Sequence, residues 1–551
     1  MMSLVSPISR RSSTIGDLRA LRIFTITVIS FLLHSCSVFS FQSSNKDISP
    51  YDHGLARAKT GVERYQVLYE THKAAVVAGV NVDYSGIKSI SLEIPENAKR
   101  IPLTQYSDFK GCVFVVKNTK KSHRLFNYAA KEMPISVSKQ SIDNGDFRSV
   151  EPLRRGRYLL LIEDENPWVQ NRKGHKYGHQ RKDVLLVENG RAKNAATMPY
   201  NNAYSKPKCT YVTLDDKPFV FKNVTIERAP GCTFLTDVAY ICGADDVQIS
   251  NVKIHTPVSN LTDDRGIMIY NCTNVTLEDV TIDGTYSQTD HSGYGFTLNN
   301  LWNLKVTGMY GKGNWGIFGN NNINTALIED SKINRFDIHC YGRDIAFKNV
   351  EFFDLYNQYS SVFGTINHDH CTFTNFLPVL NGGSYNAFVG HDIVFSDCVF
   401  NVTAKKNCII KLSNLGTDVN ERKELSAKAL PNVRIKNLTV NMTEGADYLY
   451  FFYTKSSTKE VEGLDYLSSI TIDGMTVVED GTKPFEGMAL NNVQLKMAKP
   501  VDCTVQNVEV RQAGVAVKST KVSSSKAVVV KANMPLKGGK MVMKNVRGLK
   551  Q

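Results

Sequence analysis

Short stretches in the middle of the chain set acids, bases and aromatic rings close together: Asp263-Asp264-Arg265, then Asp290-His291 with Tyr294, then Trp315, then Asp337 with His339. Tyr341, Arg343, Tyr359 and Tyr385 follow. Two carboxyl groups a sugar's width apart can hydrolyse a glycosidic bond. One stays protonated to serve the leaving oxygen, and the other acts on water or on the anomeric carbon. An imidazole or phenol near an arginine can do different work on a uronate, removing the α-proton while the cation neutralises the carboxylate. Aromatic rings suit the C–H faces of sugars. A single Asp in a loop more often satisfies the loop's own backbone than performs chemistry. The elements that carry these residues must therefore decide.

Those elements repeat. GADDVQISNVKI (243–254), GRDIAFKNVEF (342–352) and GHDIVFSDCVF (390–400) share one template. A Gly is followed two or three residues on by Asp, then by apolar residues at alternate places, an Asn or Asp, and two more apolar residues two apart. Alternation inside each segment means strand, and recurrence with loops of changing length means stacked coils. The turn position runs Asn223, Asn251, Asp279, Gly308, Asp330, Asn349, His370, Asp397, Asn437, Gly474, Asn507 and Asn545. Its spacing falls to 19–22 residues in the middle coils and rises on either side. Since three strands of about 5 residues with turns need roughly 20 residues, the middle coils are nearly bare and their neighbours carry loops.

This repeat resembles a right-handed parallel β-helix of the pectate-lyase-like superfamily, over about residues 209–513, and is similar to exported carbohydrate-active proteins of Bacteroidetes-type bacteria. The resemblance implies an all-β solenoid whose Asn/Asp turn residues form a side-chain ladder and whose Val, Ile and Phe stack inside. It leaves the chemistry open, because such folds host lyases, hydrolases, esterases, epimerases and non-enzymatic spikes. The fragments at 245–246, 390–391 and 434–436 have the wrong spacing for a polygalacturonase, and the pectin methylesterase pattern is missing.

The net charge of +13 does not indicate a nucleic-acid partner. Most of it lies in residues 1–50 and in residues 518–551, where nine Lys/Arg stand with no acid, so the body is near neutral. Apolar residues make up 42% of the chain, enough for a sizeable core. Arg10, Arg11, Arg19 and Arg22 precede the apolar run Ile23–Leu33, which is too short to span a bilayer and fits a secretory signal. Leu33-His34-Ser35-Cys36 resembles a lipobox, with Cys36 as the lipidated residue; a plain cut near Ser40 is the alternative. The expected divisions are a signal over 1–36, a tether over 37–59, an N-terminal helix with irregular first coils over 60–208, the β-helix over 209–513 and basic end strands over 514–551. Export follows, with an outer-membrane, cell-surface, periplasmic or secreted location, and a monomer is expected.

Residues 61–81 place Val62, Tyr65, Leu68, Tyr69, His72 and Val76 on one helical face. In β-helix proteins such a helix plugs the open end of the core, which the resemblance implies here as a capping helix. The basic stretch 166–183 holds Arg172, Lys173, His175, Lys176, His179 and Arg181 with Trp168 and Tyr177, and reads as a hairpin loop or a lid for an anionic sugar. The other ten cysteines lack metal-type spacing, so buried free thiols are expected.

The repeat also sorts the polar residues. Asp246, Asp344 and Asp392 recur at one turn position with Asn274 and Asn303, and His368 replaces an inward apolar residue; these read as scaffold. Asp290, Trp315 and Asp337 precede strands of successive coils and would span about 10 Å on one face. The favoured reading is a polysaccharide-degrading glycoside hydrolase. Asp290 and Asp337 are its carboxyl pair, with His339 tuning or replacing one of them. Arg265 or Arg343 orients substrate, and His291, Tyr294, Trp315, Tyr341, Tyr359 and Tyr385 line the groove. The alternative is a polysaccharide lyase using His339, Tyr341 or Tyr294 as base. Calcium would enter only in that case, at Asp263-Asp264; otherwise no cofactor or metal is expected. A non-catalytic glycan-binding or adhesive protein is the third reading.

Overall fold

The computed structural model describes residues 46–551 apart from 118–122, 170–178, 194–205, 231, 233–234, 257–264, 285–293, 313–315, 355, 375–378, 382–387, 390–391, 403–406, 414–429, 444–445, 447, 455–466, 481–486, 492–500, 513–527, 532–539 and 548–551. Cys36, the signal and the tip of the basic hairpin lie outside the described residues.

Parallel strands stack coil upon coil in a 27-stranded sheet. The alternation seen in sequence becomes continuous columns of side chains. Ile249, Leu277, Val306, Ile328 and Phe347 stand in register down the interior, and all are buried. His368 continues that column, sandwiched between Phe347 at 5.1 Å and Phe395 at 4.7 Å, its ring within 13° of both. It is a core residue, as its place in the repeat implies. This architecture is a parallel β-helix.

Each coil bends sharply, and the bends are written in Asn and Asp. All twelve turn positions read from the sequence have φ between 49° and 85°, a conformation that Gly, Asn and Asp reach at least cost. Their amides link coil to coil: Asn251 donates to Asn223, Asn437 to Asp397 and Asn545 to Asn507, each at 2.9 Å. A second corner carries Asp246, Asn274, Asn303 and Asp344, also at positive φ. A third ladder escaped the sequence reading, with Asn322 donating to Asn300 at 3.0 Å and Asn300 to Asn271 at 2.8 Å.

The first coils lie within residues 60–208. Ser89–Leu92, Ile101–Pro102, Tyr106–Val116 and His123–Ala129 already pair in parallel within the same sheet. The helix Gly61–Ala78 starts at a capping box between Thr60 and Glu63. It packs on the first two of these strands through Tyr65, Leu68, Thr71, His72 and Ala75. The buried face is thus rotated from the expected one, and Val62 and Val76 point outward. His72 lies among Tyr84, Phe109 and Phe126, with Nε2 2.7 Å from the Tyr84 hydroxyl.

Between the first coils sits a separate antiparallel sheet of five strands, ordered Met133–Ile135, Pro207–Thr213, Arg157–Val169, His179–Glu188 and Arg191–Ala192. One face covers Ile142, Phe147 and Leu153, and the other packs Leu159, Val184, Leu186 and Val212 toward Trp302 of the solenoid. The two long strands are the arms of the basic hairpin, and they touch the solenoid strands Arg265–Gly284, Tyr294–Thr307 and Gly316–Ile333. The nine described cysteine thiols are free, and eight of them are buried. Among the described residues no helix is long and apolar enough to cross a membrane.

Candidate active site

Three consecutive coils contribute to one cluster. Tyr294 opens the strand Tyr294–Thr307, Gly319 lies in Gly316–Ile333, and Asp337 and His339 lie in Phe336–Phe352. In this last strand Phe336 and Ile338 point into the core, so Asp337 and His339 must take the outer face. The pairing slips one residue here: Asn320 faces Ile338, whereas Asn321 faces Cys340. His339 is the extra residue of a β-bulge, a device that re-aims a side chain.

Outward does not mean exposed for Asp337. Its side chain is completely buried, whereas that of His339 keeps 18% of its surface. Tyr294 covers the carboxylate by crossing Gly319, whose missing side chain leaves room for the ring. The Tyr294 hydroxyl donates to Asp337 Oδ2 at 2.7 Å and stands 2.9 Å from His339 Nε2, which is itself 3.0 Å from Oδ2. From beneath, the buried Arg335 donates to the same oxygen at 2.6 Å and to Gln358 Oε1 at 3.2 Å, with its guanidinium 4.9 Å from the Tyr356 ring centre. Asp337 Oδ1 has no hydrogen-bond partner among the described residues.

Burial alone would raise the pKa of Asp337 and favour its neutral form. The charges of His339 and Arg335 and the hydrogen bonds from His339 and Tyr294 outweigh that and hold its carboxyl below the ordinary range. Asp337 is an ionised, acceptor-only group. When its ring is neutral, His339 donates to Oδ2 only with the proton on Nε2, and Nδ1 is then the nitrogen that carries the lone pair. A phenol, an imidazole and a fixed carboxylate thus form an oriented acid–base set.

The other expected site residues divide three ways. Asp290, His291, Trp315 and Tyr385 lie outside the described residues. Arg265 and Tyr341 are placed in strands, but their side chains lie outside the described residues. Arg343 is partly exposed just beyond the cluster, its Nε 3.4 Å from Asp344. Tyr359 does not line a groove. It is in register with the inward-facing Ile338 and is 1% exposed, with its hydroxyl 3.0 Å from His368 Nε2. Asp337 is likewise withheld from any surface groove, which removes it from direct contact with a sugar. Arg335 was not singled out from the sequence, although it stands two residues before Asp337, where the coil has its shortest corner.

No protein-family model matches the chain, and no curated protein matches it. Among solved structures it is similar to the tailspike gp49 of Pseudomonas phage LKA1, at 12% identity and a TM-score of 0.49, over 90% of this chain and 84% of that one. It is similar to PfbA, a surface adhesin of Streptococcus pneumoniae, at 10% identity and a TM-score of 0.34, over 92% and 93%. A family 28 exopolygalacturonase of Yersinia enterocolitica aligns at 10% identity and a TM-score of 0.27, over 92% and 79%. Likeness at this level says nothing of activity.

Proposed function

We propose that this chain is an exported protein that processes an acidic polysaccharide by β-elimination, with His339 as the base. The observation that carries this reading is the convergence of Tyr294 Oη and His339 Nε2 on one oxygen of a buried, ionised Asp337. Elimination needs a neutral base beside the sugar's α-proton and a donor for the leaving oxygen. His339 Nδ1 takes the proton. Asp337 stabilises the imidazolium that forms, and Tyr294 gives a proton to the departing glycosidic oxygen and regains one through the shared contact. Arg343, and Arg265 at the start of its strand, are the proposed partners of the uronate carboxylate.

Hydrolysis by an Asp290–Asp337 pair is less well supported. A general acid must be protonated and a nucleophile must touch the sugar, and a fully buried carboxylate paired with Arg335 does neither. Asp337 is a positioning residue in this reading.

Purified protein would be incubated with alginate, polygalacturonate, hyaluronate and neutral glucans, with unsaturated-uronate absorbance and new reducing ends followed together. Both signals should rise on a uronate polymer, and fall by two orders of magnitude or more in His339→Ala and Tyr294→Phe. Reducing ends without the absorbance would mean hydrolysis and refute elimination. Binding with neither signal would make the protein a glycan-binding β-helix.

A further inference from the structure

The five-stranded sheet carries a cleft of about 570 Å³ lined by Asp146, Arg148, Ser149, Arg154, Arg155 and Asn189. Neither the fold nor the Tyr294–Asp337–His339 cluster accounts for it. We infer that this cleft is a binding site for an oxyanion, the sulfate, phosphate or carboxylate group of an acidic ligand.

Its walls are fixed before any ligand arrives. Asn189 and Gly190 form the turn between His179–Glu188 and Arg191–Ala192, both at positive φ. Asn189 Oδ1 accepts from the Gly156 N–H at 3.1 Å, tying the Arg154–Gly156 corner to that turn. On the other side Phe147 N–H donates to Gly190 O at 2.7 Å. A side chain at 190 would run into Arg148, 2.8 Å away, so the glycine lets this arginine lie against the turn. Preorganised walls of this kind lower the cost of binding.

The lining is rich in donors. Arg148 is held in a forked pair with Asp146, with Nε at 2.9 Å and an outer nitrogen at 2.5 Å. Those hydrogen bonds keep the Asp146 carboxyl down to about 2, so it stays ionised and anchors the guanidinium. Arg154 leans on Glu151 at 3.3 Å. Both arginines are more than half open to solvent, and a guanidinium has more N–H groups than these pairings use, which leaves donors for another acceptor. Arg155 makes no side-chain hydrogen bond or ion pair among the described residues. It is exposed, and its planar fork matches an oxyanion in bidentate fashion. Three arginines thus line one cleft, with Asp146 as the acid among the lining residues and Glu151 paired to Arg154.

The test is a calorimetric titration of the full chain with sodium sulfate, sodium phosphate and sodium glucuronate at fixed ionic strength, with sodium chloride as the blank. Saturable binding is expected, weakened about tenfold or more in Arg155→Gln, the loss of one charge-assisted contact. Arg155→Lys, which keeps the charge but not the fork, should fall between. Arg155 is exposed and bears on no core contact, so these variants should melt as the wild type does. Binding of glucuronate as tight as that of sulfate would identify a glycan carboxylate as the source. Preference for the tetrahedral ions would identify an ester or free phosphate. Heats indistinguishable from chloride, or equal affinity in Arg155→Gln, would overturn the inference.

Discussion

Replacing Gly319 by alanine should dismantle the cluster without touching any of its polar atoms. The added Cβ would sit 2.5–2.6 Å from Cδ2, Cε2 and Cγ of Tyr294. Carbon atoms pack at about 3.5–4.0 Å, so the ring must retreat by roughly 1 Å. Cγ is among the three atoms, close to the root of the side chain, so swinging the ring tip gives no relief. Tyr294 Oη begins 2.7 Å from Asp337 Oδ2 and 2.9 Å from His339 Nε2. A retreat of that size takes both contacts to or past about 3.5 Å, where a hydrogen bond is lost. Loss of a bond to a buried charge together with local overpacking should cost about 2–4 kcal/mol, and turnover should fall about 100-fold. Urea unfolding gives the first number and product formation the second. The decisive control is the same substitution in a Tyr294→Ala background, where the steric conflict is gone and the penalty should vanish. A Gly319→Ala protein with wild-type midpoint and rate would refute the reasoning, as would a penalty that survives removal of the ring.

Three further outcomes follow from buried polar groups. Asn320 stands in register between the core residues Leu298 and Ile338, fully buried, with neither amide atom partnered among the described residues. Asn320→Leu should raise stability by about 1–3 kcal/mol in urea unfolding. Asp337→Asn strands the charge of Arg335 and should lower stability by about 3–5 kcal/mol, measured the same way. Burial pushes His368 down to about 3, below its unfolded value of about 6.5. The unfolded chain therefore binds the extra proton between these limits, and stability falls as pH drops from about 6.5 toward 3, by roughly 3 kcal/mol at pH 4. Melting temperatures should show a shallower acid slope in His368→Phe than in the wild type, at the cost of about 1 kcal/mol at pH 7 from the Tyr359 hydroxyl left behind.

The turn ladder was fully legible because its cause is local. A residue forced to positive φ selects Asn, Asp or Gly, and that choice is visible one position at a time. The ladder of Asn271, Asn300 and Asn322 was hidden because only three coils carry it, next to Asn274 and Asn303, which drew the same explanation. Tyr359 was misplaced for a different reason. Reading it as a residue before a strand put it on the outside, whereas the pairing of Gln358 and Tyr359 with Asp337 and Ile338 gives it the inward register. The sequence could have revealed this by matching Phe336-Asp337-Ile338 to Asn357-Gln358-Tyr359. The burial of Asp337 could not be read at all, since it depends on a ring two coils away crossing a glycine. Arg335 was invisible for the same reason: its partners are set by stacking and not by spacing along the chain.

The cluster is distributed one piece per coil, Tyr294 on the first, the gap at Gly319 on the second, Asp337 and His339 on the third. A solenoid can ordinarily gain or lose a whole repeat, because each coil contacts only its neighbours. Here that freedom stops between residues 294 and 337. One duplicated coil inserted there would part the phenol from the carboxylate by a further step of about 4.8 Å, with every strand still paired and every ladder still formed. Such a protein would keep its strand pairing and lack the cluster. The chain is therefore free to vary in coil number away from this window, while the count of coils across it is fixed by the cluster and not by strand pairing.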